Sequence, residues 1–125
     1  MKALSIRSPF AEQIMEGKKR IEFRSWKPSQ LPITFLIQVS KNRASIYAGK
    51  IIGLITVTQV FDYQKNPDLF KLHKYIYNIK MDNPPYQYGW LLSDFKSIKP
   101  FPIKGKLGFF DVPNFITSEL KSSQE

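Results

Sequence analysis

The sequence predicts an α+β domain, mainly β, built as a small curled sheet or barrel with flanking short helices. Three observations carry that expectation. Two long apolar, β-branched runs, Ile33 to Val39 and Lys50 to Phe61, have the character of central strands. Short segments near both ends alternate apolar and polar residues. Helix signals interrupt the strands twice, giving the order β-α-β-β-β-α-β-β.

Leu4 and Ile6 alternate with Ser5 and Arg7 as a first strand. Ser8 is placed to cap a helix with Pro9 in its first position, and Phe10, Ala11, Ile14 and Met15 form its apolar stripe. Gly17 ends that helix. Ile21 to Trp26 then reads as a strand, followed by a loop through Pro32 and by the two central runs, with Gly53 marking a bulge or a close backbone approach.

The segment from Asp62 to Gln87 is rich in Lys, Tyr and Asn and reads as an excursion from the core. Asn66 and Pro67 open a helix there, with Leu69, Leu72, Ile76 and Ile79 on one side. Its Lys71, Lys74 and Lys80 read first as a solvated face. Tyr88 to Leu92 is a strand, and Lys99 to Lys106 runs along an edge because its prolines lack donors. Leu107 to Val112 closes the sheet. The expected organisation is one domain over residues 1–117, with 62–87 as a helical or irregular excursion and a frayed polar tail at 118–125.

Composition narrows the chemistry. Lys and Arg total 19 against 10 Asp and Glu, a formal net charge of +9, which attracts polyanions before any specific contact forms. Cysteine is absent and His73 is the one histidine, so zinc constellations and Cys/His dyads cannot be assembled within the chain, and a Ser-His-Asp triad would depend on that single ring. No Gly-rich phosphate loop is present, since Gly105-Lys106 lacks the upstream glycine and the following Ser or Thr. Without cysteine, signal-peptide pattern or long apolar window, the expectation is a cytoplasmic protein with no membrane span, no metal and no cofactor.

Candidate function concentrates in Gly17 to Trp26. On an extended Ile21–Trp26, Ile21 and Phe23 face one way, while Glu22, Arg24 and Trp26 face the other. The Glu22 and Arg24 Cα atoms then lie about 7 Å apart, close enough for the guanidinium to orient the carboxylate. A carboxylate, a guanidinium and an indole on one surface suit a flat polar heterocycle such as a nucleobase, with Lys18, Lys19 and Arg20 beside them for phosphate. The blander assignment is a solvated ion pair worth roughly 0 to 1 kcal/mol beside a core tryptophan. Ser40, Lys41 and Arg43 form a second polar, basic turn, and Tyr88 offers another ring. The five glutamates are Glu12, Glu16, Glu22, Glu119 and Glu125, so pocket chemistry by a glutamate would fall to Glu22. Lys19 would act as a base only if burial lowered its pKa.

Leu4-Ser5-Ile6-Arg7 before Pro9-Phe10-Ala11, then Gly17-x-Lys19-x-x-Glu22-x-Arg24-Ser25-Trp26, resembles the ASCH domain family and its GxKxxExR motif. Gln38-Val39-Ser40-Lys41, Tyr88-Gly89-Trp90 and Gly105-Lys106-Leu107-Gly108 extend the likeness more weakly. The resemblance implies a PUA-like β-barrel with a cleft lined by Lys19, Glu22 and Arg24, and a role in binding RNA. It also implies an alternative, since some members hydrolyse N4-acetylcytidine through a lysine, a threonine and a later glutamate, and some are reported as ribonucleases. Here Lys19 matches the lysine, but the threonine falls at Glu22, and no glutamate lies between Glu22 and Glu119. Ser8 and Phe10 stand where relatives often carry Gln and Trp.

The combined expectation is an RNA-binding module that accepts a base or nucleotide. Lys19, Glu22, Arg24, Trp26, Ser40, Lys41 and Tyr88 would contact the ligand, with Lys18, Arg20 and Arg43 on phosphate. The alternatives are a hydrolase using Lys19 and Glu22, or a protein-interaction domain; the oligomeric state is left open.

Overall fold

In the computed structural model, which describes residues 1–41 and 45–113, the expected element order is present. β1 (Lys2–Ile6) leads into α1 (Phe10–Met15), β2 (Ile21–Arg24), β3 (Ile33–Val39) and β4 (Lys50–Asp62), followed by α2 (Pro67–Ile76), β5 (Tyr88–Pro102) and β6 (Phe109–Asp111). All six strands join one sheet in the order β2-β5-β4-β3-β1-β6. β1 and β3 pair in parallel and the other neighbours antiparallel.

The expectation of a barrel is corrected: the sheet is open, and among the described residues no ladder joins β2 to β6. Side chains bridge the two ends instead. Arg24 of β2 donates through Nη2 to the Ser5 carbonyl of β1 at 3.0 Å, just past Leu4, where the β1–β6 ladder stops. Trp26 packs edge-on against Phe109 of β6, with centroids 5.3 Å apart.

One face of the curled sheet holds the main core, Leu4, Ile6, Phe35, Ile37, Val39, Ile52, Ile55, Val57, Trp90 and Leu92, closed by Ala11 and Ile14 of α1. Of the expected α1 stripe, Ala11 and Ile14 are buried and Met15 partly so, whereas Phe10 is exposed. The cap differs from expectation: Pro9 occupies the N-cap position without a side-chain bond, and Ser8 donates instead to the Glu12 carboxylate. Gly17 follows the helix with φ +77°.

Gly53 satisfies both readings made of it. The β4 register shifts between Ile51 and Gly53, and a Cβ there would lie 2.6 Å from both the Lys96 carbonyl oxygen and the Phe95 ring.

Two boundaries differ from expectation. β2 stops at Arg24, so Trp26 lies beyond it. The separate Tyr88–Leu92 and Lys99–Lys106 segments belong instead to one long β5 that bends at Asp94 (φ +54°) and ends at Pro102. Pro100 and Pro102 are tolerated because β2 pairs only with Tyr88 to Leu91, and among the described residues no other strand pairs with the later edge of β5.

The α2 stripe is borne out in part. Leu69 and Ile79 pack against the cluster of Ile21, Phe23, Tyr63 and Phe70, but the buried residues of the helix are Phe70 and His73, and Leu72 and Ile76 are exposed. The 118–125 tail lies outside the described residues.

Candidate functional site

Lys19, Glu22 and Arg24 converge, and local backbone chemistry explains how. After α1, the Gln13 carbonyl accepts the N–H groups of both Lys18 (2.8 Å) and Lys19 (3.1 Å), fixing the turn that delivers Lys19 to the free edge of β2. There Lys19 Nζ donates to the Ile21 carbonyl at 2.6 Å, a group that, among the described residues, no strand on that side takes up. The rings of Phe10 and Phe23 flank the ammonium, each centroid 5.3 Å from it.

Register places the other two side chains. Glu22 lies opposite Trp90 and Arg24 opposite Tyr88 on β5, so the acid and the guanidinium share the core-side face two residues apart. Glu22 Oε2 accepts a hydrogen bond from Arg24 Nε at 3.0 Å and forms an ion pair with Nη2 at 2.9 Å, while Oε1 faces Lys19 Nζ at 3.6 Å, an ion pair rather than a hydrogen bond. The Glu22 side chain is 8% exposed, Lys19 14% and Arg24 23%. This is therefore a largely buried triad with two cations on one carboxylate, not the solvated surface pair of the blander reading.

Burial is the largest influence on Lys19 and lowers its pKa. Attraction to Glu22 pushes back, Arg24 adds repulsion, and the net position is below that of an ordinary lysine. The triad holds one more positive charge than negative, beside a corner where water has little access.

A second lock steadies α1. Glu12 Oε2 accepts the hydroxyls of Ser8 and of Ser45 (2.9 Å), tying the helix to the turn before β4. Burial acts to raise the Glu12 pKa, but the two hydroxyl bonds outweigh it and leave the carboxyl below its usual range. The role of Ser45 was not visible in the sequence, because it is 33 residues from its partner, and Ser8 was read as a backbone cap rather than as a partner of Glu12.

The remaining sequence-predicted residues are distributed differently. Trp26 packs edge-on against Trp90 (5.0 Å) and Phe109, and its carbonyl accepts the Trp90 indole N–H at 3.1 Å, so here it serves as a packing residue. Tyr88 lies beside Arg24 in register but opens onto a separate cavity of about 420 Å3 with Lys27 and Asp62, where Lys27 Nζ stands 5.6 Å from its ring. Ser40 and Lys41 line another cavity, on the side of β3 where Gln38 lies. Lys18 and Arg20 are exposed; Lys18 is paired with Glu16 at 2.8 Å, a contact that raises its pKa. Arg43 lies outside the described residues.

The residue that connects these places is Ser5, which the sequence presented as a strand position within the family-like Leu4–Arg7 stretch and not as a site residue. Its carbonyl takes Arg24 and its hydroxyl donates to Gln38 Oε1 at 2.7 Å, at the edge of the Ser40–Lys41 cavity. Among the described residues no group of His, Cys, Asp and Glu is arranged to hold a metal ion, and no helix is long and apolar enough to cross a membrane.

Comparison with known proteins agrees with the architecture. A family model for the ASCH domain matches residues 4–102. The crystal structure of ASCH from Zymomonas mobilis is 19% identical and superposes with a TM-score of 0.67, covering 97% of this chain and 93% of that one. A Tyr-to-Phe mutant of that protein gives 18% and 0.66 over 97% and 96% of the two chains. A Ser-to-Ala mutant gives 19% and 0.63 over 97% and 94%. At such identities the likeness is one of fold. Curated proteins yield no match.

Proposed function

Because this chain belongs to the ASCH domain family, with a PUA-like fold, we propose that it binds nucleic acid, RNA foremost, and receives a base or nucleotide at the corner built by Lys19, Glu22 and Arg24. The observation that carries this reading is the buried triad itself. A carboxylate that already orients two cations leaves their outward N–H groups pre-set for an anionic or polar ligand, at little ordering cost on binding. Lys18 and Arg20, exposed and adjacent to Lys19 in the chain, would supply phosphate contacts, and Lys41 would do so from the neighbouring cavity. The net charge of +9 supplies the long-range attraction.

The reading is tested by titrating single-stranded RNA into the wild type and Lys19→Met at several salt concentrations. Binding that weakens steeply with salt, with a log–log slope reduced by about 0.7 for the variant, supports it. A wild type that binds no RNA at any salt overturns it.

One observation favours hydrolysis as a second reading: burial lowers the Lys19 pKa, as a lysine acting as a base requires. Against it, Nζ is held by the Ile21 carbonyl and faces Glu22. Acetylated cytidine and labelled RNA, each incubated with wild type and Lys19→Met, separate the two readings. Turnover lost only in the variant establishes the enzyme.

A further inference from the structure

The Ser40–Lys41 cavity has a composition of its own. Its volume is about 800 Å3, within the roughly 300–1,000 Å3 of small-molecule sites. Three lysines line it, Lys41, Lys104 and Lys106, and no carboxylate does. Among the described residues none of the three forms an ion pair, and Asp111, whose ionisation Lys106 favours, is already taken by Lys2 at 2.9 Å. Three exposed lysines on one hollow, with no carboxylate among its lining residues, give it a positive character that favours an anion.

The floor is preorganised. Gln38, only 3% exposed, accepts from Ser5 through Oε1 and donates through Nε2 to the Ile103 carbonyl at 3.0 Å, so one amide fixes β1, β3 and the segment after β5 together. Gly105 lets that segment lie flush on the floor: a Cβ there would come 2.5 Å from Ser5 Oγ and 2.7 Å from Gln38 Oε1. The wall is apolar, with Ile103 half-buried and Leu107 fully exposed at the rim. A cavity with an unpaired cationic rim, a polar floor and an apolar wall fits an amphiphilic anion with a phosphate at one end and a flat body at the other.

We infer that this cavity is a second nucleotide subsite, seating a nucleoside monophosphate unit with its phosphate among Lys41, Lys104 and Lys106 and its base against Ile103 and Leu107. As part of an RNA strand the unit is the neighbour of the one at Lys19, an assignment that rests on the RNA reading above; a free nucleotide presents the same chemistry. Ser5 couples the two positions, because its carbonyl holds Arg24 while its hydroxyl belongs to the cavity floor.

The experiment is calorimetric titration of the full chain with adenosine 5′-monophosphate, adenosine, inorganic phosphate and a short oligoadenylate. The wild type is compared with Lys104→Ser/Lys106→Ser, with Leu107→Ser, and with Lys65→Ser/Lys71→Ser, which removes the same charge elsewhere. Circular dichroism confirms folding, and the fully exposed Leu107 provides a variant that leaves the core untouched.

The expected result is that the monophosphate binds more tightly than adenosine or phosphate alone. Its binding is lost in the Lys104/Lys106 variant, weakened in Leu107→Ser without a change of salt slope, and unaltered in the Lys65/Lys71 control. A wild type that does not bind the monophosphate, or binding unchanged in the cavity variants, or an equal loss in the control, overturns the subsite. The two readings fail separately. Oligoadenylate binding that ignores the cavity variants removes the subsite and leaves the RNA reading. Cavity-dependent binding of the monophosphate without any RNA binding removes the RNA reading and leaves a free-nucleotide site.

Discussion

Glu22 meets Arg24 through a single carboxylate oxygen: Oε2 accepts Nε at 3.0 Å and stands 2.9 Å from Nη2 as an ion pair. The second oxygen is thereby left to Lys19 at 3.6 Å. One side chain thus neutralises part of the charge of two cations and aims both, and the same Arg24 Nη2 reaches on to the Ser5 carbonyl across the open side of the sheet. Architecture and candidate site therefore depend on the same guanidinium.

Removing that carboxylate exposes the dependence. Glu22→Gln leaves Lys19 and Arg24 facing each other without a counter-charge in a poorly solvated corner. The expected loss of stability is about 3 kcal/mol, the lower end for breaking a buried pair because Arg24 keeps some water. Urea unfolding of wild type and variant checks this through a lower midpoint at unchanged m-value.

Lys19 should reveal its lowered pKa in binding. Because burial favours its neutral form, the part of ligand affinity due to its charge falls as pH rises, and does so below the pH at which an ordinary lysine titrates. Lys19→Arg keeps its charge throughout and removes that fall. Oligoadenylate affinity measured from pH 7.5 to 10, with a 2′-O-methyl backbone to prevent strand cleavage, gives the comparison.

His73 predicts acid sensitivity of the α2 docking site. Its ring is buried, bonded through Nδ1 to the Tyr63 hydroxyl at 2.9 Å, and packed 4.3 Å from Phe61. Burial lowers the His73 pKa, and burial, with Tyr77 adding to it, pushes that of Tyr63 up to about 12. The folded state therefore resists a proton that the unfolded chain accepts near pH 6.5, so stability is lost as pH falls below about 6.5 toward the lower folded value. His73→Phe should flatten stability against pH across that window, at a cost of roughly 1–3 kcal/mol for the unpartnered Tyr63 hydroxyl.

Gly53→Ala tests the bulge. The added methyl meets a backbone carbonyl oxygen as well as a ring, so the site cannot yield by a rotamer change alone. The expected cost is about 3 kcal/mol, the upper part of the overpacking range. Thermal unfolding measures it as a drop in midpoint temperature.

What the sequence made legible follows from the range of the interactions involved. The α1 stripe, the central strand Ile33–Val39, the β2 alternation and the Lys19–Glu22–Arg24 grouping are all written within a few residues, where periodicity reports directly on geometry. The α2 face was half legible: Leu69 and Ile79 pack as their spacing suggests, but Leu72 and Ile76 are exposed, and the ring cluster of Phe23 and Tyr63 takes Phe70 and His73 instead. Trp26 was offered to a ligand, but its partners Trp90 and Phe109 lie 64 and 83 positions along the chain. The barrel was expected from the order of strands and helices and from the family resemblance, yet closure depends on whether β2 and β6 come into register, which no local pattern encodes. Ser5 and Gln38 matter through contacts made across the sheet, and single-residue chemistry gave no sign of them.

The most direct test of the central claim is an NMR footprint: backbone amide shifts of the labelled chain during titration with a short single-stranded RNA. The account predicts that the largest changes cluster at residues 18–24 and at Ser5, Ser40 and Lys41, and that they collapse in Lys19→Met. Shifts confined to the exposed Leu72, Tyr75 and Ile76 surface of α2, or none at any salt, would contradict it.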